Sequence, residues 1–188
     1  FHLVLNTRPL SFMIGVFCAL DLVVFTGSLK TAKNIHITLA AKPGKIIPLI
    51  AETGGLNSMV VDSSALIERA CDDIVRSAFN SAGQRCSALR LLLVHEKIYD
   101  ELITMLKGMM DEMIIGNPEN FSVDMGPIIT FEAAQKLYDY LDTFNSSGLL
   151  IYQSKLPSAL NKQWIPPTLI EIASLEGLTE EQFGPILH

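Results

Sequence analysis

The fold class this sequence predicts is α/β with a mainly parallel sheet, and three observations predict it. Short apolar runs recur along the chain: "LVVF" from 22, "IIPLI" from 46, "SMVV" from 58 and "LRLLLV" from 89. Between them lie segments whose apolar residues follow helical spacing, and glycine or proline punctuates the joins. Strands that alternate with helices predict parallel pairing, because each helical crossover returns the chain to the same end of the sheet. The 188 residues, 49% of them apolar, suffice for a sizeable core.

Taken in order, "SFMIGVFCALDLVVF" at 11–25 reads as a buried helix running into a strand. Asp21 interrupts it, and it is shorter than the roughly 18–20 residues a membrane helix needs. It also lacks the basic start and small-residue cleavage site of a secretory signal. "LVVFTGS" at 22–28 is a buried strand closing on a Gly-Ser turn, followed by a helix over 29–42 that "PGK" ends. "IIPLIAETGG" at 46–55 is a second buried strand, and "SMVVD" at 58–62 a third. Ile67, Ala70, Cys71, Ile74 and Ala78 mark a helix that Asp62, Ser63 or Ser64 can cap, ending near Gly83. After the strand at 89–95, Ile98, Leu102, Met105, Leu106, Met109 and Met113 line one helical face, the methionines as core filler. "IGNPENFSVDMGPI" is a loop, Thr130 caps the helix "FEAAQKLYDYLDTF", and "LLIYQS" is a strand. The tandem prolines of "WIPPTLIEI" suit an edge or extended segment.

Charge and cysteine usage exclude several function classes. A net charge of −6 with no basic cluster argues against a nucleic-acid partner. Three widely spaced cysteines, at 18, 71 and 86, form neither a disulfide framework nor a metal site, which fits a reducing, cytoplasmic compartment.

Three segments carry chemistry. "FTGS" at 25–28 is a turn between strand and helix whose free N–H groups can face a phosphate; an ordinary βα turn looks the same. In "ETGG", Glu52 follows an apolar run, and partial desolvation would raise its pKa toward that of a usable general base; a solvated strand-end glutamate is the alternative. In "NSAGQRCSALR", Cys86 sits among polar and small residues, whereas Cys18 and Cys71 lie inside apolar patterns. Backbone N–H groups of a tight turn, together with Arg85 if it points inward, would favour the nucleophilic thiolate. No histidine adjoins Cys86 in sequence, and only His36 or His95 approaching in space would make a cysteine hydrolase.

"FTGS", "ETGG", "GQRC" and "EEQFGP" stand in the order and approximate spacing of the NAD-dependent aldehyde dehydrogenases, which the chain resembles over roughly residues 22–188. The middle region resembles more closely the L-glutamate γ-semialdehyde (Δ1-pyrroline-5-carboxylate) dehydrogenase domain of bifunctional bacterial proline-utilisation proteins. The resemblance implies a three-layer α/β/α fold, here incomplete: residues 1–51 as the end of the dinucleotide-binding domain and 52–188 as a truncated catalytic domain. It implies an aldehyde substrate and NAD as cofactor, with Cys86 as nucleophile and its own N–H in the oxyanion hole. Glu52 is implied to activate water, Gly27 and Ser28 to adjoin the cofactor pyrophosphate, Glu181 to bind the nicotinamide-side ribose, Phe183 to lie near the nicotinamide and Ser87 to hold the substrate carboxylate. The asparagine that completes the oxyanion hole belongs to a motif upstream of "FTGS" in the family, and "FHLVLNTRPLSFMIGVFCALD" departs from the family pattern. The resemblance therefore predicts a fragment with negligible turnover by itself, and association through apolar surface that the missing parts would cover. A non-catalytic interaction fragment and an aldehyde dehydrogenase of other specificity are the alternatives.

Overall fold

The computed structural model describes residues 20–147, 149–178 and 180–188. Cys18 and most of the helix expected within 11–25 lie outside the described residues. The chain divides into two compact units, Phe1–Gly54 and Gly55–His188.

In the first unit, strand β1 (Val23–Thr26), helix α1 (Leu29–Ala40) and strand β2 (Leu49–Glu52) form one βαβ unit. The strands pair in parallel, from Val23 opposite Leu49 to Thr26 opposite Glu52. The helix starts where expected because Ser28 caps it, its Oγ accepting from the Thr31 N–H at 3.2 Å. Ile35 and Leu39 on α1 pack against Leu20, Val23, Phe25, Ile47 and Leu49. The two strands are less buried than their apolar composition predicts. Side chains alternate faces along a strand, and the second face carries Val24 and Ile50 exposed.

The second unit comprises β3 (Ser58–Val61), α2 (Ile67–Phe79), β4 (Leu91–Val94), α3 (Tyr99–Glu112), α4 (Phe131–Ser147), β5 (Leu150–Gln153), β6 (Thr168–Ile170) and β7 (Ile186–Leu187). β3 pairs with β4 and β6 with β7 in parallel, while β5 joins β6 antiparallel. The His188 N–H donates to the Arg90 carbonyl and the Leu92 N–H to the His188 carbonyl. The strands thus run in the spatial order β3, β4, β7, β6, β5, an α/β sheet with mainly parallel pairing, as predicted. Cys71, Ile74 and Ala78 of α2 meet Leu102, Leu106 and Met110 of α3 in one core cluster, with Met105, Met109 and Met113 partly buried against it. Leu137 and Leu141 of α4 anchor a second cluster with Met125, Ile128, Ile165 and Ile186.

Two local expectations are corrected. Asp62 does not cap α2: its carboxylate accepts from the Ser64 N–H and Oγ, closing a turn four residues before Leu66, which occupies the cap position without a side-chain bond. The strand after the tandem prolines is central rather than an edge, because Pro166 and Pro167 precede β6 and leave its N–H groups free to pair on both sides. Among the described residues no helix is long and apolar enough to cross a membrane.

Candidate active site

In the first unit, the parallel pair ends with Thr26 opposite Glu52, and the Gly27 N–H donates to the Glu52 carbonyl at 3.1 Å. The Gly27–Ser28 corner and the Glu52 strand end therefore stand side by side at the carboxyl ends of the strands, where open α/β sheets place their ligands. The corner opens a twelve-residue helix, and Ser28 Oγ takes up the Thr31 N–H of its first turn. Glu52 is exposed. That exposure differs from the partly covered position its apolar predecessors suggest, because side chains alternate faces along a strand and Glu52 closes β2.

In the second unit, α2 stops at Phe79, and the next turn is left-handed at three successive residues: Ser81 (φ 58°), Ala82 (φ 53°) and Gly83 (φ 63°). The first two hold a conformation that costs a side-chain-bearing residue about 1–2 kcal/mol. At Gly83 only glycine fits. A Cβ there would stand 2.2 Å from the Gly184 carbonyl oxygen and 2.9 Å from that of Ala78. The glycine of "GQRC" thus packs directly on the glycine of "QFGP", two motifs a hundred residues apart in sequence.

The loop that follows is held by its backbone. Asn57 Nδ2 donates to the carbonyls of Cys86 (2.7 Å) and Ala88 (3.0 Å), while the Asn57 carbonyl accepts from the N–H groups of Arg90 and Leu91. The Gln84 amide donates to the Pro127 carbonyl and accepts from the Ile129 N–H at 2.8 Å. Cys86 and Ser87 are exposed at the crest of this loop. Arg85 is also exposed, and its guanidinium donates to the Arg76 carbonyl on α2 at 3.1 Å, so it is anchored to the helix instead of being directed at the thiol. Cys71 is the opposite kind of cysteine. It is fully buried, its S–H faces the Leu102 carbonyl, and burial pushes its thiol pKa up, with Glu68 adding to the shift.

The residue that organises this unit is Arg90. It is fully buried at the entrance to β4, and burial lowers its pKa against the opposing pull of Glu181. Its Nε and Nη2 both donate to Glu181 Oε1, at 3.1 and 2.9 Å; Nη1 donates to the Gly184 carbonyl at 3.0 Å; Nη2 also reaches the carbonyls of Gly83 and Arg85 at 2.6 and 3.2 Å. Phe183 lies under the guanidinium, 5.5 Å from ring centroid to Cζ, with its ring half-exposed. Arg90 thereby joins Glu181 and Phe183 to the Gly83 and Arg85 carbonyls of the loop that carries Cys86. Sequence reasoning missed both Arg90 and Asn57. The available signal for Arg90 was a lone charge opening an apolar strand, since a buried charge requires a partner; nothing local marked Asn57.

His95 and His188 have other duties. His95 Nδ1 caps the turn at Lys97, and His188 bonds the Arg90 carbonyl and the Tyr140 hydroxyl. A groove of about 520 Å³ on the same unit is lined by strand residues such as Leu91, Ile170 and Leu187, and by none of the candidate site residues. Among the described residues there is no group of His, Cys, Asp or Glu able to hold a metal ion.

A sequence profile of the aldehyde dehydrogenase family matches residues 18–188. The chain belongs to the aldehyde dehydrogenase family. Among its aldehyde dehydrogenase relatives, the bifunctional protein PutA of Klebsiella aerogenes is 43% identical over 88% of the chain, which corresponds to 13% of that protein. The 1-pyrroline-5-carboxylate dehydrogenase of Bacillus licheniformis is 33% identical over 89% of the chain and is matched over 33% of its own length. A crystal structure of Bradyrhizobium japonicum proline utilization A superposes with a TM-score of 0.84 at 45% identity, covering 89% of this chain and 17% of that one. A betaine aldehyde dehydrogenase from Staphylococcus aureus in complex with NAD+ superposes with a TM-score of 0.80 at 29% identity, covering 89% of this chain and 34% of that one.

Proposed function

We propose that this aldehyde dehydrogenase chain carries the nucleophile, the water-activating base and part of the NAD site of an enzyme that oxidises L-glutamate γ-semialdehyde to L-glutamate in proline catabolism. The observation that carries the reading is the Arg90 network, which joins the loop of the exposed Cys86 to the carboxylate of Glu181 and the ring of Phe183. The named activity of the 1-pyrroline-5-carboxylate dehydrogenase relatives, whose substrate is in equilibrium with the open semialdehyde, supplies the substrate class.

In this reading the Cys86 thiolate adds to the aldehyde carbon, and the Cys86 N–H stabilises the oxygen as negative charge develops on it. When bound, NAD supplies the acceptor for the hydride that leaves this carbon, so that a thioester to Cys86 remains. Glu52 takes a proton from water, the water attacks the thioester carbonyl, and the acid departs with the thiol restored. Ser87 offers its hydroxyl to the carboxylate of the substrate. Each unit taken by itself supports a share of the cofactor role: in the first, the Gly27–Ser28 corner opens a helix whose N-terminus suits a phosphate, and in the second, Arg90 bonds Glu181 at Oε1 and Phe183 has a half-exposed ring.

Thiol trapping tests the reading without requiring turnover. Iodoacetamide should label Cys86 at least about tenfold faster than the buried Cys71, and glutamate semialdehyde should slow that labelling more than acetaldehyde at equal concentration. Labelling of Cys86 that neither aldehyde slows would overturn the assignment and favour a non-catalytic role.

A further inference from the structure

We infer that Arg90 is a positioning residue that couples Glu181 to the loop of Cys86, so that the state of the carboxylate is felt at the thiol. The part of this inference that concerns the cofactor rests on the role proposed for Glu181; the coupling itself does not.

The geometry of the Arg90 fork provides the coupling. Arg90 offers five N–H donors in a rigid fork, and its three nitrogens meet five acceptor contacts: Glu181 Oε1 twice and the carbonyls of Gly184, Gly83 and Arg85 once each. One planar group therefore fixes three backbone carbonyls and one carboxylate oxygen. Two of the carbonyls, those of Gly83 and Arg85, flank Gln84 and lead directly into Cys86. The third, that of Gly184, is the atom against which Gly83 packs. Rotation of the fork, if Glu181 moves, must therefore disturb the turn at Gly83. That turn is a poor place to absorb the change, since Ser81 and Ala82 already hold left-handed conformations and Asn57 pins the far side at the Cys86 and Ala88 carbonyls. The loop has two anchored ends with Cys86 between them, and among the described residues Arg90 is the anchor that also touches Glu181.

Lysine keeps the charge of Arg90 but loses the fork, and glutamine at 181 keeps the shape but loses the charge. The test is a double-mutant cycle on the second-order rate of Cys86 alkylation by iodoacetamide in the full 188-residue chain, comparing R90K, E181Q and R90K/E181Q. Coupling predicts that each single change shifts the rate by about threefold or more and that the double variant shifts it no further than the larger single one. Cys71 should stay unlabelled throughout, which reports an intact core. R90K at the wild-type rate would mean that charge alone suffices, and factors that multiply independently would mean that the two residues act separately; either result overturns the inference. E181Q keeps the test open if R90K does not fold, because it alters the network from its partly exposed end, and an unchanged rate in E181Q is equally fatal. Adding nicotinamide mononucleotide separates the two levels. Slowed alkylation in the wild type that R90K and E181Q abolish supports both. A coupled cycle with no nucleotide effect in the wild type removes the ribose role of Glu181 and leaves the positioning role of Arg90 standing.

Discussion

The two units share the candidate residues between them, and their described parts differ in packing. Among its described residues the first holds Glu52 and the Gly27–Ser28 corner on two strands and one helix, packed in one small cluster around the buried Ile35 and Leu39. The second holds Cys86, Ser87, Glu181 and Phe183 on a five-strand array with two core clusters. A two-stranded sheet has little independent stability, whereas the second unit covers its strands with α2, α3 and α4. The contrast shows where precision is built in. The Cys86 loop is fixed by a buried guanidinium, a buried glycine contact and two side-chain amides, while Glu52 stands exposed at a strand end.

Removing a core methyl cluster should have the largest effect and confine it to the second unit. Leu102 is fully buried between α2 and α3, so Leu102→Ala should cost about 2–5 kcal/mol. The sole tryptophan, Trp164, belongs to this unit and donates to the Gly116 carbonyl; its fluorescence in urea reads the loss. If amide exchange in α1 accelerates in parallel, the two units are one cooperative body and the contrast fails. A smaller change addresses the other side. Ser28→Ala removes the cap of α1 at about 1 kcal/mol, which should speed exchange of the α1 amides about fivefold and leave the Trp164 urea midpoint unchanged.

The smallest expected effect is a pH dependence in the second unit. Burial lowers the His188 pKa below its ordinary 6.5, against the raising effect of its hydrogen bond to the Arg90 carbonyl. The Arg90 carbonyl can only accept, so Nδ1 carries the proton and Nε2 accepts from Tyr140, whose own pKa burial pushes up to about 12. The unfolded chain thus binds a proton before the folded one as the pH falls, and stability present above about pH 6.5 is progressively lost below it. The Trp164 urea midpoint should drop between pH 7.5 and 5.5 in the wild type and drop less in His188→Gln.

Most elements were legible because their signals are local. The spacing of Ile67, Cys71, Ile74 and Ala78 records one helical face, Thr130 caps α4 as expected through the Ala133 N–H, and the apolar runs became strands. The site was legible as motifs but not as a mechanism of assembly. Glu181 was marked by its motif, yet its partner is Arg90, 91 residues away. The exposure of Glu52 contradicts a desolvation read from its apolar predecessors, since a run of apolar residues says nothing about which face a neighbouring element covers.

By itself, then, the order of residues determined the α/β class, the positions of most helices and strands and the family resemblance of four short segments, because propensity, periodicity and residue type act over a few positions. Only the tertiary structure decided that β6 lies inside its sheet, that Gly83 must be glycine because Gly184 lies against it, and that one buried arginine holds the thiol's loop to a distant carboxylate. Those outcomes depend on burial and on the demand that a buried charge find acceptors, and both are properties of residues brought together from across the chain.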